Sequence, residues 1–194
     1  MRPVGRVAEL ESLRVVEKMT ATALMRRFRI VLALFISALI VSGVTAFPLR
    51  WELKLLASWM GVDAAPDLAS LTGMKYWVAY VHTGLEQAYV AYPFLAYGTD
   101  WLAFAHIVIA VFFIGPMRAP TQHDWILISG IIACAAVIPL ALICGPLRGI
   151  PLYWRLIDCS FGVIGIVPLI YCLKISRRLQ ALNARSDAPS RRPV

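Results

Sequence analysis

Residues 125–144 form a run of twenty without a charged side chain. As a helix rising 1.5 Å per residue, such a run crosses the roughly 30 Å hydrocarbon core of a bilayer. Three more apolar runs lie at 30–47, 101–117 and 153–173, the first two without a charged side chain and the third with Arg155 and Asp158 near its start, and Arg29, Asp100, Arg118 and Lys174 stand at their edges. Hydrophobic residues make up 60% of the 194 and charged residues 15%, whereas a soluble domain has roughly 45–50% and about 25%. Mean hydropathy is +0.72. The sequence therefore predicts an all-α integral membrane protein with four transmembrane helices and a membrane domain covering 30–174.

Orientation follows from the basic residues. With four spans, the side holding both termini carries 14 of the 19 Lys and Arg, and the other side carries Arg50, Lys54, Lys75, Arg148 and Arg155. The positive-inside rule then places the N-terminal segment 1–29 and the tail 175–194 in the cytoplasm, as in a bacterial inner-membrane protein. The net charge of +8 is thereby read as topology. No nucleic-acid-binding pattern surrounds the basic residues, so nucleic acid is not expected as a partner. The expected partners are the lipid bilayer and either another membrane protein or a second copy of this chain.

The N-terminal region permits several readings. Residues 9–25 are mildly amphipathic and could form a cytoplasmic surface helix. Translation from Met19 or Met25 would also give a sensible membrane protein. Arginines ahead of an apolar run that ends in Val44-Thr45-Ala46 have the grammar of a cleaved signal peptide, although the run is long for one, which favours a retained span. At the other end the tail, polar, basic and proline-containing, is expected to be disordered.

Between the first two spans lies a mixed region, 48–100. A short amphipathic helix is predicted over 51–59, a loop over 61–73, and an aromatic-rich segment over 75–97 broken near Pro93. Tyr76, Trp77, Tyr80, Tyr89, Tyr92 and Tyr97 suit the headgroup layer, so interfacial helices are expected here on the non-cytoplasmic side.

Charged side chains at membrane depth are costly unless paired or functional. Asp100 falls at the outer start of span two, Arg155 and Asp158 at the outer start of span four and Arg148 in the short loop before it, and together they could bind an anionic headgroup or carboxylate through the planar arginine fork. Arg155 and Asp158, three positions apart on one helix face, form a local ion pair in the simplest account. His106 lies about six residues, roughly 9 Å, below Asp100 and about 120° around the helix from it. It is either a packing residue or the centre of a haem b or quinone site, for which His82 is the other candidate ligand. His82 and Glu86, one turn apart, could supply two metal ligands, but no zinc motif accompanies them. Cys134, Cys144, Cys159 and Cys172 lack metal-finger spacing and read as packing residues, with a Cys144–Cys159 disulfide as the alternative. Gly162 and Gly165, with Ala133, Ala135 and Ala136, predict close packing of spans three and four.

No nucleophile elbow, P-loop or dinucleotide fingerprint is present, and no catalytic residue or metal ligand is assigned. The expected function is a non-catalytic accessory or small-ligand or lipid-binding helical bundle. The alternative is a membrane redox protein binding haem b or quinone near His106. A transporter is disfavoured because four spans without repeats or broken helices offer little pathway.

Overall fold

The computed structural model describes residues 4–63 and 67–187, with side chains described for Ser12, 15–63 and 67–185. The described residues are helical with no strand, in the order α1 (Val4–Ala46), α2 (Leu49–Trp59), α3 (Gly73–Ala91), α4 (Ala96–Phe112), α5 (Ile114–Arg118), α6 (Asp124–Leu147) and α7 (Leu152–Asp187), with 3₁₀ turns at Leu68–Ser70 and Pro93–Leu95. Four stretches are long and apolar enough to cross a membrane: Val15–Ala46, Pro93–Arg118, Asp124–Leu147 and Leu152–Arg185. At most 22% of any of their apolar windows is buried within the chain. Leu34, Phe112, Ile143, Phe161 and Val167 are all more than half exposed. Helices that are apolar on their outward faces fit a multi-pass membrane protein, since lipid is the solvent such faces need.

The ends of the elements follow local chemistry. Gly61, at φ +68, closes α2: its N–H bonds to the Ser58 carbonyl at 3.0 Å, and the Val62 N–H to that of Ala57 at 2.9 Å. This left-handed cap is one that glycine adopts without steric cost. Pro93 lacks an N–H and disfavours the α conformation at Tyr92, which takes φ −138 and ψ 72, so α3 stops at Ala91 and the chain restarts as α4. Pro139 and Pro146 lie inside α6 and Pro168 inside α7 without ending either helix.

Two lengths differ from the sequence expectation. The first span is the latter part of one helix that starts at Val4, because no proline or glycine interrupts the chain between Gly5 and Gly43. Helix α7 continues to Asp187, beyond the fourth span, so residues 175–187 are helical where disorder was expected. Ile175, Ser176 and Leu179 are buried there, and that burial holds the extension. Residues 188–194 lie outside the described part.

The chain divides into two compact units, Met1–Ile36 with Phe112–Val194, and Ser37–Val111. In the first, α6 and α7 form the most extensive helix contact. Its core holds Phe28, Leu32, Phe113, Leu127, Leu169 and Cys172, and Phe35 meets Phe113 edge-on with centroids 5.0 Å apart. A Cβ on Gly162 would run into the backbone carbonyl of Cys134, and one on Gly165 would lie 2.8 Å from its Sγ. The predicted close approach is thus present, with Cys134 supplying the atoms nearest both glycines. In the second unit α2 packs on α3, burying Ala57, Val62, Val78 and Ala79. Gly43 lies so close to α4 that a Cβ there would be 2.9 Å from the Ala103 carbonyl and 3.1 Å from the His106 Cβ.

Candidate functional site

The amphipathic face of α2 places Trp51 and Arg50 at its N-terminal turn, next to the α3 face that carries His82, Glu86 and Tyr89. Arg50 donates from Nε to Glu86 Oε1 at 3.0 Å and from Nη2 to Oε2 at 2.5 Å. This two-pronged pairing is the strong form of a carboxylate–guanidinium contact. Those bonds, and after them the charge of Arg50 and the nearby His82 and Lys54, hold the Glu86 carboxyl below the ordinary carboxylate range. The same bonds raise the Arg50 pKa.

Arg50 borders two recesses. One, of about 330 Å³, is lined by Phe47, Pro48, Arg50, Trp51, Tyr89, Pro93, Ala96 and Thr99. Among its lining residues the Thr99 hydroxyl donates to the Ala96 carbonyl at 2.7 Å and lies 3.1 Å from the Tyr89 hydroxyl. With the Thr99 proton so engaged, Tyr89 is the donor to Thr99. Its lining is mostly aromatic and apolar, with Arg50, Tyr89 and Thr99 supplying the polar side chains. The other recess, of about 460 Å³, is lined by Arg50, Trp51, Lys54, His82 and Glu86. A guanidinium has five N–H groups, and Glu86 engages two of them, which leaves three not taken by Glu86.

The predicted cluster of Asp100, Arg148, Arg155 and Asp158 is divided between the two units. Asp100, in the second, lines a third recess of about 310 Å³ with Phe47, Tyr97, Trp101 and Phe104. The other three belong to the first unit, where Arg148 is exposed at the turn after α6. The expected Arg155–Asp158 ion pair is not formed among the described residues. Arg155 instead lays its stem over Gly145, its Cδ and Cγ filling the space a Cβ would take there, and its buried Nε has no hydrogen-bond partner among the described residues. A notch on the neighbouring helix has drawn the side chain off its own helix face.

The histidines have different surroundings. His82 lines the charged recess beside Glu86, whose carboxylate is taken by Arg50 rather than left for a metal. His106 faces Gly43 of α1, and its Nδ1 lies 2.8 Å from the Leu102 carbonyl one turn back. Among the described residues no three His, Cys, Asp or Glu side chains converge, and all four cysteines are free thiols, so Cys144 and Cys159 are not bridged.

One polar cluster had no counterpart in the sequence reading. The buried Ser176 hydroxyl lies 2.8 Å from the Pro120 carbonyl and also contacts the Asp124 carboxylate. Gln180, one turn along α7, donates from Nε2 to the Thr121 carbonyl at 2.9 Å and to Asp124 Oδ2 at 3.2 Å. Together they fasten the turn before α6 to α7. The i, i+4 pair Ser176 and Gln180 was the available signal, but nothing local names its partner.

No protein family, curated protein or solved structure matches this chain.

Proposed function

We propose that this protein is a non-catalytic, multi-pass inner-membrane protein with both termini in the cytoplasm, which binds an amphipathic molecule on the opposite side through its 37–111 unit. The observation that carries the reading is the recess lined by Phe47, Pro48, Trp51, Pro93 and Ala96, apolar over most of its lining and bordered by Arg50. Its size lies at the small end of the roughly 300–1,000 Å³ typical of ligand pockets. An acyl or isoprenoid chain suits the walls, and an acidic or carbonyl head suits the remaining N–H groups of Arg50. Lys54 and His82, on the other side of Arg50, add positive potential for an anionic head.

In this reading α2 and α3 lie in the headgroup layer, where the exposed Trp51, Trp59, Tyr76 and Tyr80 belong. Asp100, Arg148, Arg155 and Asp158 anchor span ends at that interface, and Arg50 takes over recognition of the ligand. The outward apolar faces of α4, α6 and α7 meet lipid, a second copy or another membrane protein.

A spin-labelled fatty acid tests the proposal. Trp51 fluorescence, isolated as the difference between the parent protein and Trp51→Phe, should be quenched saturably. Arg50→Gln should remove the saturation. Quenching that rises linearly and equally in both proteins would mean partitioning without a site, and the reading fails.

A further inference from the structure

Helix α1 presents Thr22, Met25, Arg26 and Arg29 at the three- and four-residue spacings that share one helix face. With Leu179 and Asn183 of α7 and Thr121 of the turn before α6, they line a cleft of about 470 Å³, to which Ala21, Met25, Ile30 and Leu179 contribute the apolar surface. All these residues belong to one unit. Both arginines are exposed, and neither forms an ion pair among the described residues. Thr121 does not drift at the rim, because Gln180 holds its backbone carbonyl at 2.9 Å and the Asp124 carboxylate holds Gln180 in turn.

Two guanidinium groups beside the apolar side chains of Ala21, Met25, Ile30 and Leu179 make up the chemistry that recognises a phosphate attached to a hydrocarbon chain, while the Thr22 hydroxyl is spent on the Lys18 carbonyl at 2.9 Å. Arginine matches phosphate through paired N–H donors. The position along the chain selects the same ligand. Arg26 and Arg29 immediately precede the apolar run of the first span, and basic pockets between helices at the cytoplasmic surface are where acidic headgroups are held. An isolated arginine at this level would be satisfied by water, whereas a cleft lined by two arginines and by apolar side chains favours a ligand that has both parts.

We propose that this cleft is a phosphate site occupied by the headgroup of an acidic phospholipid from the cytoplasmic leaflet, with the lipid's upper acyl carbons against Met25, Ile30 and Leu179. The proposal rests on the long helices crossing a bilayer. It is independent of the recess at Arg50.

The test titrates delipidated full-length protein in mild detergent with phosphatidylglycerol or phosphatidylcholine and counts bound lipids by native mass spectrometry. Wild type should prefer phosphatidylglycerol. Arg26→Gln and Arg29→Gln should each weaken it about fivefold, and the double variant by an order of magnitude or more, at roughly the strength of one basic residue near a membrane surface apiece. Arg27→Gln removes the same charge from the same turn of the helix, but Arg27 does not line the cleft, so binding should be unchanged. Equal weakening by Arg27→Gln would mean diffuse charge attraction and would overturn the site. So would undiminished binding in the double variant, or, if that variant does not fold, in both single variants. Displacement of the lipid by millimolar inorganic phosphate would assign the cleft to the free ion and overturn the lipid source. Carbonate extraction separates the two levels of the claim. Protein that stays in the membrane yet shows no lipid preference sinks the cleft alone, and protein released by carbonate sinks the membrane reading itself.

Discussion

Arg50 and Glu86, thirty-six positions apart, are joined by two parallel hydrogen bonds that tie α2 to α3. Because the bonds need opposite charges and not a particular direction, exchanging the residues should preserve them. Arg50→Glu or Glu86→Arg alone places like charges together and should lower the thermal midpoint of the purified protein. The double exchange should recover most of that loss. A double exchange no better than the worse single variant would show that the pair does not couple the helices.

The same pair sets an acid dependence. Glu86 is held below its ordinary value of 4.5 in the folded protein. Its contribution is therefore complete at neutral pH, declines as acid takes the pH below that value, and is lost once the folded-state carboxyl protonates. Thermal midpoints from pH 7 down to about 3 should fall more steeply for wild type than for Glu86→Gln, which has nothing there to titrate.

Arg155 leads to an unusual expectation for a charged residue. Its stem packs over Gly145 while its buried Nε goes without a partner among the described residues. An unsatisfied buried donor costs about 1–3 kcal/mol. Arg155→Met keeps a flexible apolar stem and removes the donor, and should unfold in detergent at a temperature equal to or above wild type. Arg155→Ala empties the notch and should unfold below it. If both variants are strongly destabilised, the guanidinium has a partner in the membrane that compensates for the orphaned atom.

Ser176 joins α7 to the turn before α6. Ser176→Val fills the site with carbon and strands the Asp124 oxygen that it contacts, so a loss of about 1–3 kcal/mol is expected. Gln180→Leu should act in the same direction. The two losses together should fall short of their sum, because both side chains share Asp124. Chemical denaturation in mixed micelles measures this.

Topology can be checked with reporter fusions. Fusions after Arg185 should report the cytoplasm, and fusions in the 61–73 loop should report the opposite side. A reporter at Arg118 that gave the outer signal would contradict the orientation drawn from the basic residues.

The features legible in the sequence are those that depend on neighbours along the chain. Apolar length sets the spans, and the missing N–H of Pro93 marks the break after α3. Gly162 and Gly165 announced a close helix contact, because absence of a side chain is visible without a structure. The pairs that were not legible have partners far away in sequence. Nothing beside Glu86 names Arg50, and nothing beside Ser176 names Asp124. Arg155 shows how a local rule loses: spacing pointed to Asp158, but the space left by Gly145 on another helix received the side chain instead.

That glycine contact between α6 and α7 also limits how this protein can move. A slide of one helix past the other by a turn, about 5.4 Å, would bring Asp158 or Ile166 to the place where the Cys134 carbonyl admits only Gly162. That one-turn slip is opposed by the bulk of the two side chains it would bring in. A change of shape that accompanies ligand binding is then expected to come from bending or from other segments, with the α6–α7 contact kept.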